Sequence, residues 1–117
     1  MRLLLLPLGL ALLAGCATTI PQINERPAKY YQQSVTFTGR IARTQDLPGE
    51  HLFEVADPNE RRVLVRIQGD TDVAPGDWIT VTGVLTPEVR IGPTTLYDVV
   101  TAESVRRVHA PRLRNLF

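Results

Sequence analysis

The stretch VTFTGRI, residues 35–41, alternates apolar and polar side chains. Val35, Phe37 and Ile41 fall on one side of an extended chain, whereas Thr36 and Thr38 fall on the other. A spacing of two residues is the period of a β-strand that buries one face and exposes the other. The stretch therefore predicts a half-buried strand and, with it, a sheet.

The same alternation continues towards the carboxyl terminus. Turn-forming residues separate the alternating segments, notably DLPGE at 46–50 and DPNE at 57–60. The breaker-rich stretch 68–77 predicts an irregular connection, and Thr86–Pro93 predicts a long loop. No segment after residue 15 has convincing helical periodicity, so the pattern predicts an all-β fold. The four further strands are predicted at His51–Ala56, Arg61–Ile67, Trp78–Leu85 and near Thr94–Thr101.

The phrases VTFTGRI, PGDWITVTGVL and YDVVTAESV resemble the strand and turn phrases of bacterial OB-fold domains. The resemblance implies a small five-stranded β-barrel, which we place at residues 34–105. Many OB-folds carry a full helix after the third strand, and Gln68–Gly76 is too rich in breakers to supply one. An SH3-like barrel is therefore the alternative architecture.

Length and charge limit the classes of function. With 117 residues, the chain has the common size of one domain. Its thirteen basic and twelve acidic residues give a formal net charge of +1. This balance lacks the basic excess that is expected of a protein that coats nucleic acid. The overall charge therefore identifies no partner.

The amino terminus has the layout of a secretory signal peptide. A positive charge at Arg2 precedes an apolar run over residues 3–13, and small residues follow it. The run is shorter than the ~20 apolar residues that a transmembrane helix needs, and it contains a proline and a glycine. The apolar run lies at the extreme terminus and follows a charged residue, which also argues against a buried core helix.

The run ends in Leu13-Ala14-Gly15-Cys16, which resembles the lipobox of bacterial lipoproteins and holds the only cysteine of the chain. The resemblance implies cleavage of residues 1–15, a diacylglyceryl group on the Cys16 thiol, and an acyl group such as palmitate on the new amine. Two or three such chains anchor a protein stably in a membrane. In Gram-negative lipoproteins, an aspartate directly after the cysteine typically retains the protein at the inner membrane. Ala17 occupies this position here, so the resemblance implies the outer membrane.

Residues 16–33 are predicted to be the lipidated cysteine and a flexible tether, because Pro21 and Pro27 disfavour a helix. Ile20–Gln22 and Tyr31–Gln33 have a fainter resemblance to starvation-inducible outer-membrane lipoproteins, a longer family. Residues 106–117 contain four arginines and no acidic residue, and they predict a basic carboxy-terminal tail.

Three arginines are the candidate ligand-binding residues. OB-folds usually bind ligands across strands two and three and in two adjoining loops, a surface that here holds Arg62 and Arg66 and adjoins Arg90. Their charge predicts an anionic polymer or an envelope protein as the partner, although arginines on a sheet can also serve solvation alone. Few aromatic side chains accompany them, which argues against single-stranded nucleic acid.

No pattern predicts catalysis, a metal site or a cofactor. His51 and His109 each lack a second ligand at metal spacing, and Asp70, Asp72 and Asp77 lack the signature of a calcium loop. The sequence thus predicts a membrane-anchored, periplasm-facing lipoprotein whose barrel is a non-catalytic binding or envelope-organising module. The alternatives are a nucleic-acid-binding OB-fold module and an envelope enzyme.

Overall fold

A computed structural model describes residues 16–110, and the predicted signal peptide and residues 111–117 of the predicted tail lie outside them. The described chain is all-β, apart from one short α-helix and one 3₁₀ turn, as the sequence predicts. In chain order the elements are β1 (Cys16–Ala17), α1 (Ile20–Glu25), the 3₁₀ turn (Pro27–Tyr30), β2 (Ser34–Leu47), β3 (Glu50–Ala56), β4 (Arg62–Gln68), β5 (Trp78–Ile91) and β6 (Thr94–Val108).

The five long strands close into a barrel. Strands β2, β3 and β4 form an antiparallel meander, β4 then pairs in parallel with β6, and β6 pairs with β5. The barrel closes because β2 is long enough to serve two partners: residues 34–40 pair with β5, and residues 40–47 pair with β3. The prediction of a small five-stranded OB-fold-like barrel is confirmed.

The barrel core consists of the side chains that strand alternation points inward. Each strand contributes every second residue, so apolar positions two apart meet at the barrel axis. The alternation seen in the sequence therefore identifies the part of the core that the strands supply. The fully buried barrel side chains include Val35, Phe37, Ile41, Phe53, Val55, Val65, Ile79, Val81, Leu85 and Val100.

The predicted loop at Thr86–Pro93 is wrong, because β5 continues to Ile91 and forms a long hairpin with β6. Pro87 is unusual inside a strand, because it cannot donate to a sheet ladder. In the structure the pairing register skips Pro87, and Asp98 opposite it has a φ of 56°. The missing N–H is thus tolerated at an interruption of the ladder.

The prediction of a flexible tether over residues 16–33 is also wrong. Thr18 N–H donates to the Thr36 carbonyl at 2.8 Å, next to the pairing of β1 with β2. The helix α1 then begins with a reciprocal cap, in which Gln22 N–H donates to the Thr19 hydroxyl and Thr19 N–H donates to the Gln22 side chain. Pro21 lies in the first turn, where its missing N–H needs no partner.

The helix α1 belongs to the barrel core. Ile20 and Ile23 are three residues apart, so they share one face of the helix, and each is only 1% exposed. An added Cβ on Gly39 would lie 3.1 Å from the Ile20 Cδ1 atom, which shows how closely the helix approaches β2. Asn24 also donates to the Arg62 carbonyl at 2.9 Å. The segment is therefore a fixed part of the domain.

The connection between β4 and β5 contains no helix among its residues 69–77, in agreement with the sequence. Val73 packs against the core, and Gly76 N–H donates to the Ile41 carbonyl at 2.8 Å. Neither helical segment of the described chain has the length and apolar character needed to cross a membrane.

At Gly83 the backbone of β6 lies very close to β5. A Cβ atom at this position would lie 2.3 Å from the Thr101 carbonyl oxygen and 2.9 Å from the Ala102 Cα atom. Because both atoms are backbone, the contact cannot relax by a change of side-chain rotamer. We therefore expect Gly83→Ala to lower the free energy of unfolding by at least ~1–3 kcal/mol, as overpacking in a close-packed interior does. Urea denaturation measures this, and equal stability of Gly83→Ala and the wild type would contradict the packing.

Candidate functional site

The predicted ligand residues Arg62 and Arg66 lie on the outward face of β4, separated by Leu64. They share this face because they are four apart in a strand, and Val63 and Val65 point into the core. Arg62 lies opposite Ala56 of β3, and Arg66 lies opposite Leu52. The structure thus brings these two arginines together as the sequence suggested.

Carboxylates hold both arginines. Arg62 Nη1 donates to Glu54 Oε1 at 2.9 Å, and its Nη2 lies 3.4 Å from Glu60 Oε1. The hydrogen bond to Glu54 is the main reason that the pKa of Arg62 is raised above its ordinary value, and Glu60 adds to the shift. Arg66 Nε donates to Glu50, and these two side chains are only 20% and 13% exposed. Neither arginine presents an unpaired charge.

The ion pairs extend beyond β4. Glu60 also accepts from Arg40 Nη2 at 2.8 Å, and Glu54 lies 3.5 Å from Arg43 Nη1. We call these five residues, Arg40, Glu60, Arg62, Glu54 and Arg43, the charge ladder. It alternates in sign and carries three positive and two negative side chains. The surface is therefore nearly balanced rather than strongly basic.

An apolar seam accompanies the charge ladder. Leu64 is half-buried on the outward face of β4, and Leu52 of β3 is buried beside Arg66. Together with Arg43 and neighbouring residues, they line a shallow pocket of about 30 Å³. A depression this small holds no ligand, but it gives the charged face an apolar centre.

The third predicted ligand residue, Arg90, lies apart from the other two. Its partner in the hairpin is Thr95, whereas Arg66 lies beside Thr101. Thr95 and Thr101 are six positions apart in β6, which corresponds to about 20 Å along a strand. Arg90 therefore belongs to the far part of the hairpin and does not join the charge ladder.

Sequence reasoning missed the exposed aromatic residue of this hairpin. Tyr97 is 63% exposed and lies opposite Glu88, diagonally across the hairpin from Arg90. It is the most prominent apolar side chain on the surface of the described residues. Its exposure could have been inferred from the alternation only if the hairpin had been recognised, because then Tyr97 falls on the side opposite to Leu96 and Asp98.

The base of the hairpin is tied to the segment that follows α1. The Tyr31 hydroxyl donates to the Asp98 carboxylate, and Gln32 N–H donates to the Leu85 carbonyl at 2.8 Å. The hydrogen bond to Asp98 is the main cause of the raised pKa of Tyr31, followed by desolvation. These contacts fix the direction in which the hairpin leaves the barrel.

The predicted lipidation residue, Cys16, begins β1. Its backbone lies beside Val35 in a parallel pairing with β2, and Ala17 lies beside Thr36. The residue that would carry a lipid is therefore part of the sheet backbone.

The histidine and carboxylate side chains of residues 16–110 are not arranged as a metal site. His51 Nδ1 lies 2.7 Å from Asp46 Oδ1 near the β2–β3 turn, which is a surface ion pair if the imidazole is protonated. Within residues 16–110, no three histidine, cysteine, aspartate or glutamate side chains are grouped in a way that could hold a metal ion.

No protein-family model matches the sequence, and the search of curated proteins gives no match. Solved structures do match the fold. An aspartyl-tRNA synthetase from Leishmania major aligns over 86% of this chain with a TM-score of 0.62 and 11% identity. The telomere capping protein Ten1 from Saccharomyces pombe aligns over 88% of this chain and 90% of its own length, with a TM-score of 0.56 and 16% identity.

A third similar structure is the OBody AM1L10 bound to hen egg-white lysozyme, which aligns over 70% of this chain and 85% of its own length. The TM-score is 0.53 and the identity is 13%. The match to the synthetase spans only 22% of the synthetase chain. At these identities the likeness concerns the fold alone, and the neighbours are OB-fold proteins. The described part of this chain is therefore an OB-fold-like domain.

Proposed function

We propose that the chain is a lipoprotein of the bacterial cell envelope, anchored through Cys16, whose barrel is a non-catalytic module that binds a protein partner. The lipobox-like Leu13-Ala14-Gly15-Cys16 supports the anchor, and Ala17 supports the outer membrane, with the barrel facing the periplasm. The charge ladder is the observation that carries the binding role.

The charge ladder favours a protein over an anionic polymer as the partner. A polyanion would have to compete with Glu54 and Glu60 for Arg62, because both carboxylates already contact this guanidinium. A protein surface can instead offer charges of both signs in a complementary order. The apolar seam at Leu64 supplies the less polar centre that protein interfaces have inside a polar rim. The lysozyme-bound OBody supports the use of an OB-fold for protein binding.

A paired charge reversal tests this role. We expect the double variant Arg62→Glu with Glu54→Arg to stay folded, with a thermal unfolding midpoint somewhat below that of the wild type. The two exchanged side chains can still pair across the strands, but residue 62 then faces the like charge of Glu60 and residue 54 that of Arg43. The variant should lose partner capture, since the alternation of charges along the face is broken. Cross-linking and pull-down from intact cells measure capture, followed by binding of the purified partner.

The matched control is Arg106→Glu, an exposed arginine of β6 outside the charge ladder. We expect it to leave capture unchanged. Loss of capture in both variants would indicate a non-specific effect of charge, and unchanged capture in the double variant would contradict binding through the charge ladder.

Binding of single-stranded nucleic acid is the second candidate function. Tyr97 favours it, because an exposed ring diagonal to Arg90 can stack on a base. The Ten1 and synthetase folds are compatible with this alternative. Fluorescence anisotropy with a labelled oligonucleotide at two salt concentrations distinguishes the candidates. Tight binding that Tyr97→Ala abolishes would favour nucleic acid, whereas weak binding agrees with a protein partner.

A further inference from the structure

The structure holds Cys16 against the barrel. Cys16 lies beside Val35, Thr18 N–H donates to Thr36 two residues later, and Ile20 is already in the core. Almost no free chain therefore separates a lipid on Cys16 from the folded domain. We propose that the tip of the β5–β6 hairpin contacts the lipid bilayer in which this anchor sits. The inference rests on the proposed lipidation of Cys16.

The strand register gives the direction of the hairpin. Val35 pairs with Cys16 on one side and with Gly83 on the other, and β5 runs antiparallel to β2. Residues after Gly83 therefore run towards the side from which the chain enters β1. Gly92, at the turn, is nine residues further along, which is up to ~30 Å at the rise of a β-strand. The tip thus projects well past the level of Cys16.

This direction limits how the domain can lie on a membrane. A diacylglyceryl group reaches its cysteine through a thioether only a few bonds long, so the lipid surface must lie close to Cys16. The hairpin leaves the barrel towards that same side, and the Tyr31–Asp98 hydrogen bond ties down its base. The tip is therefore the part of the hairpin that is best placed to meet the headgroups.

The side chains near the tip suit a bilayer interface. Arg90 is exposed and can pair with lipid phosphate, and Ile91 beside it is half-buried. Tyr97 is 63% exposed, and tyrosine combines an apolar ring with a polar hydroxyl, as residues at the headgroup level do. Trp78, at the opposite end of β5, lies beside Arg40. The two ends of β5 should therefore differ in their contact with lipid.

Tryptophan quenching can measure this difference. The probe is the mature, lipidated protein that begins at Cys16, reconstituted in phosphatidylethanolamine–phosphatidylglycerol vesicles with brominated acyl chains. In a Trp78→Phe background, Ile91→Trp and Thr94→Trp each place a single tryptophan near the tip, since Trp78 is the only native one. We expect the emission of both tip variants to fall clearly in brominated vesicles, whereas native Trp78 keeps its emission.

Flotation of the same vesicles separates the two proposals. Protein that does not float with the vesicles contradicts the lipid anchor itself. Protein that floats but shows no quenching at positions 91 and 94, or equal quenching at Trp78, would overturn the contact of the hairpin while leaving the anchor intact. Circular dichroism of each variant confirms the fold, and two tip positions guard against one disruptive substitution.

Discussion

Replacement of Ile20 or Ile23 by alanine is expected to lower the free energy of unfolding by about 2–5 kcal/mol for each residue. Both side chains lie in the barrel core at 1% exposure, so their truncation removes buried contacts and leaves a cavity. The double variant should unfold at a clearly lower temperature than either single variant. Urea denaturation followed by circular dichroism measures the change.

Glu25→Ala is the matched control, because Glu25 is an exposed residue of the same helix. A surface change of this kind usually alters stability by less than about 0.5 kcal/mol. If α1 belongs to a flexible tether instead, the two isoleucine variants will be as stable as Glu25→Ala. That result would contradict the packing of α1 into the barrel.

The second large effect is expected from Cys16→Ala. The thiol is the only one in the chain, and alanine offers no sulfur for a thioether. On the lipobox interpretation, the variant should accumulate as an uncleaved precursor without diacylglyceryl or acyl groups. Cell fractionation, detergent partitioning and electrophoretic mobility measure this outcome, and the wild type should be almost entirely in the membrane fraction.

Ser34→Ala serves as the control, because Ser34 is an exposed residue at the start of β2 near Cys16 in the fold. It should be processed like the wild type. If Cys16→Ala is processed and membrane-bound to the same extent as Ser34→Ala, the proposed anchor at Cys16 is wrong.

The strands of the barrel were predictable because each one alternates apolar and polar residues, a pattern that is visible within a few neighbouring positions. The positions of Val35, Phe37, Ile79 and Val81 can be read from alternation alone, since each side chain faces the core in its own strand. The resemblance of three sequence stretches to OB-folds then supplied the closed five-stranded barrel, which alternation alone does not predict. The fold neighbours agree with that choice.

The helix α1 was harder to predict because it is only six residues long and contains a proline. Too few positions repeat for a helical period to become apparent. Its reciprocal cap between Thr19 and Gln22 was present in the sequence, and Pro21 fits a first helical turn as well as an irregular chain. Burial of Ile20 and Ile23, however, depends on the barrel and cannot be read locally.

The position of Arg62 and Arg66 on one face of β4 was predictable, but their ion pairs with carboxylates were not. Alternation places Arg62 and Arg66 on one side of β4, but their partners Glu54 and Glu50 come from β3. Which carboxylate meets which arginine depends on the register between the two strands, and the sequence does not state that register. The same limitation hid Tyr97, whose exposure depends on the length of the β5–β6 hairpin.

Mass spectrometry of the amino-terminal peptide from the membrane-extracted protein tests the lipid anchor at Cys16 most directly. We predict a peptide that begins at Cys16 and carries a diacylglyceryl thioether, with or without an amide-linked acyl group. An amino-terminal peptide that retains residues before Cys16, or one with a free Cys16 thiol, would contradict the proposal.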